Sequence, residues 1–547
     1  MFSSATVAAR EVYAGCEMTT KVRFACWTGT VLSLAAAAID PSGTFAAEPV
    51  KVAPAAMPRI GMVNERFQSF NIEMVEVTGG RFWTPYKSQG SKPPEGPAAL
   101  LSTPGIDPSL FRMRPPINLA TARLRKLAAA LGPAYVRVSG TWANSTYFHD
   151  FDEAAPATPP AGFGGVLTRR EWRGVIDFAR AVNAQIVTSF AVSGGVRHAN
   201  GVWTPDQARK LLAFTKASGG RIAAAELFNE PNFAAVGGAP KGYDAAAYGR
   251  DFKVFRAFVK REAPDMLILG PGSIGEGTAL AAGVPMLKSE DMLAAAGRGV
   301  DVFSYHFYGG VSKRCTGGMP AAPQSSPEAE LSEEWLARTD RAAAFYAALR
   351  DRFEPGKPIW LTETGEAACG GDPWAASFID SFRYLDQLAR MAKRGVQVVA
   401  HNTLAASDYA LIDEDSLEPR PNYWAALLWR QLMGTTVLDA GVAPVAGVHL
   451  YAHCLRGQPG GVTVLAINTD RQADRDLATD TPGARYTLSA ADLLGGKVEL
   501  NGRELKLGAG DALPEITGVA APRGQVKLPA ASITFLAFPN AANRSCR

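Results

Sequence analysis

Two glutamates close two widely separated apolar runs. IAAAELFNE ends on Asn229-Glu230 before Pro231-Asn232, and PIWLTET ends on Thr362-Glu363-Thr364. Cleavage of a glycosidic bond needs such a pair: one carboxyl protonated near neutral pH to help the leaving oxygen depart, the other ionised to attack or to activate water. A lone loop glutamate would more simply cap a helix or pair with an arginine. Two at the strand ends of one barrel can face each other, because those ends share one mouth. Pro231 stops the strand and fixes the backbone that carries Glu230. Two further runs end in polar residues, Tyr305-His306-Phe307-Tyr308 and His401-Asn402. Glu226 is expected inside its strand in a buried hydrogen-bond network, and Glu366 in the loop after Glu363. A metal centre has little support: the six histidines are scattered, no CxxC occurs, and His449 and His453 lie four apart in a strand-like run where they do not converge on one ion.

The elements that would position these residues follow from periodicity. Eight short apolar or β-branched runs, 69–77, 134–140, 185–192, 222–230, 266–272, 300–308, 358–364 and 396–402, alternate with helical patterns such as REWRGVIDFARAV and AAAYGRDFKVFRAFVKRE. Eight strands with crossover helices predict an α/β fold, a (β/α)8 TIM barrel with its chemistry at the C-terminal strand ends. After about residue 440 the pattern becomes short alternating strands broken by Gly, Pro and Asn, which predicts a C-terminal β-sandwich. The expected division is a leader over 1–47, the catalytic barrel over 63–438, and a sandwich from 48–62 plus 439–547.

Composition agrees with a globular chain: of 547 residues 47% are hydrophobic and 20% charged, and the formal charge of +4 lacks the basic excess of a nucleic-acid binder. Lys21 and Arg23 ahead of an apolar stretch, with small residues in TFAAEP, predict an export signal and a periplasmic or secreted protein. No later run predicts stable membrane insertion. Past the leader remain Cys315, Cys369, Cys454 and Cys546, an even number that in an exported chain favours disulfides.

IWLTETGEAACGG, then RYLDQLARMAKRGVQVVAHNTLAASDYALIDEDSLEPRPNYWAALLWRQLMG, together with ELFNEPNF, ALGPAYVRVSGTW and SYHFY in that order, resembles the heparanase and β-glucuronidase family, glycoside hydrolase family 79. The resemblance implies a retaining double displacement, with Glu230 as general acid/base and Glu363 as nucleophile. It implies Asn229 at the sugar's 2-hydroxyl, Tyr308 orienting Glu363, Glu73 and Thr141 at ring hydroxyls, Tyr409 beside the uronate carboxylate, and His306 and Ser407 among the substrate-binding residues. Ser407-Asp408-Tyr409 stands where heparanase has a glycine-containing turn, and Glu73 where an aspartate is usual. The resemblance also implies a Cys454–Cys546 disulfide. Cys315 and Cys369 have no counterpart in heparanase and are expected to pair across two active-site loops. No arginine cluster stands in GPGSIGEGTALAAG, although Arg169, Arg170 and Arg173 offer basic charge on another loop or helix face.

The substrate implied is a glucuronate-containing polysaccharide or oligosaccharide, heparan sulfate-like, with no cofactor because two carboxyls and water suffice. The alternatives are an exo-β-glucuronidase acting on plant or other glucuronides, and a carbohydrate-binding barrel without turnover.

Overall fold

The computed structural model describes residues 49–88, 108–280, 285–442 and 447–547; the expected leader lies outside the described residues. Eight parallel strands close a barrel: β1 (Gln68–Glu73), β2 (Ala134–Ser139), β3 (Ala184–Ser189), β4 (Ile222–Glu226), β5 (Leu267–Ile274), β6 (Val302–Val311), β7 (Ile359–Ala368) and β8 (Val398–His401). β8 pairs with β1 to complete the ring. A helix follows each strand: α1 (Ala122–Ala130), α2 (Arg169–Ala181), α3 (Asp206–Ala217), α4 (Ala245–Glu262), α5 (Ser289–Ala296), α6 (Arg338–Phe353), α7 (Phe378–Lys393) and α8 (Pro421–Leu432).

Inward and outward residues alternate along each strand, and the inward set grades from apolar to polar. At the bottom Tyr135, Ala224, Leu269, Val302, Trp360 and Val398 form a plug, with the rings of Tyr135 and Trp360 4.8 Å apart. Two residues further along β2, β4, β6 and β7 the interior turns polar, with Arg137, Glu226, Ser304 and Thr362 buried side by side. The apolar plug holds this layer away from water, which strengthens every interaction in it.

Three expected boundaries shift. Residues 74–77 are not the end of β1 but part of a helical turn, Met74–Thr78, because the Glu76 carboxylate accepts from the Glu73 backbone N–H at 2.9 Å and starts a helix there. β4 stops at Glu226, and Leu227 to Glu230 form the bend into Pro231. Glu366 lies within β7, fully buried, rather than in the following loop.

The β-rich remainder is two sheets. Arg59–Met62, Met433–Leu438, Val448–Leu455, Val462–Asn468, Ser532–Phe538 and Gly483–Ser489 run through the larger, and Val50–Val52, Arg475–Thr479 and Gly524–Leu528 form the smaller. Leu450, Val464, Leu536 and Phe538 of one meet Val52, Leu477, Val526 and Leu528 of the other in a single core. The fold is thus a (β/α)8 barrel with a C-terminal β-sandwich. α7 is covered along nearly its whole length, and its Asp386 accepts from His449 and Tyr451 of that sandwich.

Candidate active site

Glu230 occupies the left-handed region, φ 52 and ψ 59, a conformation that costs a non-glycine residue about 1–3 kcal/mol and persists only where its surroundings impose it. Pro231 on one side and Asn144 on the other impose it here. The Asn144 amide accepts from the Asn229 N–H and donates to the Asn229 carbonyl, both at 2.9 Å, clamping the backbone just before the carboxyl. Glu363 reaches the mouth by a different device. The pairing of β7 shifts register between Leu361 and Thr364 on one side, and the β6 pairing shifts between Tyr305 and His306 on the other. Such an irregularity re-aims side chains. Thr362 and Glu363, which regular alternation would send to opposite faces, both point inward: Thr362 donates to Glu226 at 2.9 Å and Glu363 meets Arg137 at 2.8 Å.

Arg137 is the hub. Its guanidinium donates to Glu363 Oε2 (2.8 Å), Glu226 Oε2 (3.0 Å) and Asn229 Oδ1 (2.7 Å), and lies 3.2 Å from His306 Nε2. Burial opposes its charge, but Glu226 and Glu363 hold it firmly protonated. Burial and Arg137 drive His306 down to about 4, so the ring is neutral. With Nε2 accepting from Arg137, Nδ1 carries the hydrogen and donates to Glu230 Oε1 at 3.0 Å. Glu226 accepts from Ser304 and Thr362 as well as Arg137; burial works against its charge, but Arg137 and the bonds hold its pKa below the usual carboxylate value. Burial, aided by Glu226 and resisted by Arg137, pushes Glu230 up to about 7. The two mouth carboxyls therefore differ sharply in surroundings, although their oxygens and the His306 ring nitrogen all lie within 4.8 Å of one another.

Asn402 organises the opposite wall. Its Nδ2 faces Glu73 Oε1 (3.1 Å), the Tyr308 hydroxyl (3.0 Å) and the Tyr409 hydroxyl (3.2 Å). Tyr308 in turn donates to Glu363 Oε1 at 2.8 Å. Glu73 Oε2 is buried with no protein partner, and burial together with Glu363 raises the Glu73 pKa well above the carboxylate range. Gly140, at φ +90, leaves room for that carboxyl, since a Cβ there would fall 1.5 Å from Glu73 Oε2.

These groups open into a cavity of about 440 Å³ that Glu73, Thr141, Glu230, Tyr308, Glu363, Asn402 and Tyr409 line. Asn229 lies just beneath, its Oδ1 taken by Arg137, which leaves the amide donor as its free end. Two residues expected at the substrate stand elsewhere. His306 is fully buried below the carboxyls. Ser407 is fully buried too, its hydroxyl donating to the Gly370 carbonyl at 3.0 Å. Ser407 instead takes the left-handed backbone, φ +64, that glycine favours, held by a bond from its N–H to Glu414, while Arg420 clamps the Ser407 and Asp408 carbonyls. The turn that lacks the glycine thus keeps a glycine-like backbone and still delivers Tyr409.

Cys369 lines the cavity and is bonded to Cys315, tying the segment after β6 to the end of β7, with Cα atoms 6.5 Å apart. Cys454 and Cys546 form the second disulfide, Cα atoms 5.3 Å apart. Glu230, His306 and Glu363 are, among the described residues, the one trio of possible metal ligands this close. The Arg137 guanidinium against Glu363 makes it a poor seat for a cation. Sequence reading missed Arg137 and Asn144 as site residues, and marked Asn402 only as a polar strand end without a role.

No family model matches the chain. It is 27% identical to heparanase of Mus musculus over 489 residues, covering 78% of this chain and 88% of that protein. It is 25% identical to hyaluronoglucuronidase of Hirudo nipponia over 447 residues, covering 73% of this chain and 86% of the other. Among solved structures, a 4-O-α-L-rhamnosyl-β-D-glucuronidase from Fusarium oxysporum superposes with a TM-score of 0.57 at 14% identity, covering 89% of this chain and all of that one. A family 51 α-L-arabinofuranosidase from Thermotoga petrophila gives 0.60 at 13%, over 89% and 99%. The structural likenesses carry the fold. The sequence likeness, which spans most of both chains, is to heparanase-like glycoside hydrolases.

Proposed function

We propose that the protein is a retaining β-glucuronidase-type hydrolase, with Glu230 as general acid/base and Glu363 as nucleophile. The observation that carries this reading is the carboxyl spacing. One oxygen of Glu230 lies within 4.8 Å of one oxygen of Glu363, which fits the roughly 5–5.5 Å separation of a retaining pair better than the about 6.5–9.5 Å of an inverting one. Raised to about 7, Glu230 keeps its proton in a substantial share of molecules in neutral solution. His306 occupies Oε1, so Oε2 is the oxygen that gives the proton to the leaving group. Arg137 donates to Glu363 Oε2 and Tyr308 to its Oε1, which fixes the orientation of the attacking carboxyl. Attack by Glu363 on the anomeric carbon forms a glycosyl ester as the glycosidic bond breaks and the proton passes to the leaving oxygen. Glu230, now ionised, takes a proton from the water that cleaves the ester.

A glucuronate ring brings a further carboxylate into this mouth. The groups around it supply neutral donors: the Tyr409 and Asn402 side chains, and Glu73, whose raised pKa keeps its carboxyl uncharged. Asn229 then serves the 2-hydroxyl and Thr141 another ring hydroxyl. The relatives' names bring heparan- or hyaluronan-type saccharides as candidate substrates, and glucuronate is their common part. Two disulfides favour an exported protein. No helix of the described residues is long and apolar enough to cross a membrane.

The test is proton NMR of the sugar first released from an aryl β-glucuronide. The β-anomer is expected; the α-anomer would refute double displacement, and absence of any turnover would refute the glucuronidase reading itself. Glu230→Gln and Glu363→Gln should each lower kcat on a poor leaving group by about 10²–10⁴-fold.

A further inference from the structure

We infer that the leaving-group side of the cavity takes an apolar ring system, so that the preferred substrate is the β-glucuronide of a hydrophobic alcohol or phenol rather than a sulfated sugar chain. This rests on the β-glucuronidase reading and names its substrate class.

The leaving group lies on the side of the general acid, and Glu230 follows β4. The segments after β4, β5 and β6 build that side from Phe233, Val236, Ile274, Leu280, Met286 and Met319. Phe233, Met286 and Met319 are only partly buried and pack on the same apolar cluster as Ile274 and Leu280, so they present hydrophobic surface to the cavity. Methionine adapts to irregular apolar shapes and makes favourable sulfur–aromatic contacts. Among the described residues, the titratable side chains lining the cavity include the three carboxyls Glu73, Glu230 and Glu363 and no lysine or arginine. Of the cations just after β6, Lys313 lies 4.6 Å from the centre of the Trp374 ring, and Arg314 stacks on Tyr86 and binds Asp408. A sulfated sugar at this position would meet apolar walls and acidic neighbours without a counter-charge, which binding of polyanions requires. The volume, about 440 Å³, falls in the range of small-ligand pockets, roughly 300–1,000 Å³. The wall is also fixed in advance: the Met319 N–H donates to the Cys315 carbonyl, and the Cys315–Cys369 disulfide anchors that turn beside the nucleophile's strand.

The test compares kcat/KM of the full-length enzyme on two β-glucuronides, one of a steroidal secondary alcohol and one of N-acetylglucosamine. Both leave as alcohols and the steroidal one is the less acidic and poorer leaving group, so faster steroid release reports recognition rather than leaving ability. The steroid glucuronide is expected to be the better substrate by tenfold or more, since each methylene held in an apolar pocket is worth about 10–200-fold. In Met319→Lys and in Met286→Lys that preference should shrink by at least tenfold. Equal or better cleavage of the sugar glucuronide by the wild type overturns the inference and leaves the glucuronidase reading intact. An unchanged preference in both variants also overturns it. Cleavage of neither compound, nor of an aryl β-glucuronide, overturns the glucuronidase reading itself.

Discussion

In the proposed mechanism Glu230 gives up a proton while Glu363, a few ångström away, attacks. Burial pushes Glu230 up to about 7, so its acid form is half-populated there and is lost as pH rises further. The alkaline limb of kcat/KM is therefore expected near pH 7, and Glu230→Gln should remove it from the profile on an activated aryl glucuronide. Tyr308→Phe deletes a donor to Glu363 at 2.8 Å. Loss of one such bond, about 1.5–3 kcal/mol to a charged acceptor, should cut kcat by tenfold or more; an unchanged kcat would show the hydroxyl idle. Both mouth glutamates were legible in the sequence because each ends an apolar run. Arg137 was not, since nothing near it in AYVRVSG marks it as more than a strand residue. A signal did exist: Arg137, Glu226, Ser304 and Thr362 each follow an inward apolar residue by two, a polar layer visible only once the strands are set side by side.

At the level of elements, the eight strands and their helices were readable because two-residue and 3.6-residue periods differ plainly over such lengths. Where β1 ends was not readable: MVEV has the composition of a strand, and only the Glu76 carboxylate reaching back to the Glu73 N–H turns it into a helix. The shift in register that brings Thr362 and Glu363 to one face was equally hidden, because it depends on how β6 and β8 pair with β7. β2 passes directly into Gly140, whose missing side chain is where the Glu73 carboxyl sits. Gly140→Ala places a methyl on that carboxyl at a backbone angle alanine resists, and should destabilise the protein by about 1–3 kcal/mol while sharply lowering activity. In Gly140→Ala with Glu73→Ala, denaturant unfolding should show a loss well short of the sum of the two single changes, because the clash is then gone. Additivity would mean that the glycine is needed for its backbone alone.

Over the whole molecule, barrel and sandwich are joined by buried charge. His449 donates to Asp386 (2.7 Å) and faces Glu333 (2.9 Å), while Arg390 spans Asp386, Glu333 and Asp340. Burial opposes the histidine's charge, but Asp386 and Glu333 raise it from the usual 6.5 to about 9. A raised histidine stabilises the fold fully below 6.5 and loses that contribution as pH climbs through 9. The urea midpoint should fall over that interval, and His449→Gln should flatten the fall. Cys454–Cys546 closes a loop of 92 residues, for which chain entropy gives on the order of 4–5 kcal/mol. Cys454→Ser should lower stability by about 2–5 kcal/mol with little change in kcat.

The Asn543 side chain donates to the carbonyls of Pro54 (2.7 Å) and Met57 (2.9 Å), so the earliest and latest described segments lie against each other. During synthesis, Val50–Val52 and Arg59–Met62 must wait for partners that emerge almost a whole chain later, a delay in which exposed strand edges are a hazard. Yet the same adjacency makes the polypeptide nearly a ring. A circular permutant joined across those segments and opened in the exposed run 151–158 would give each early strand its partner at once, and is expected to refold faster than the natural order of residues allows.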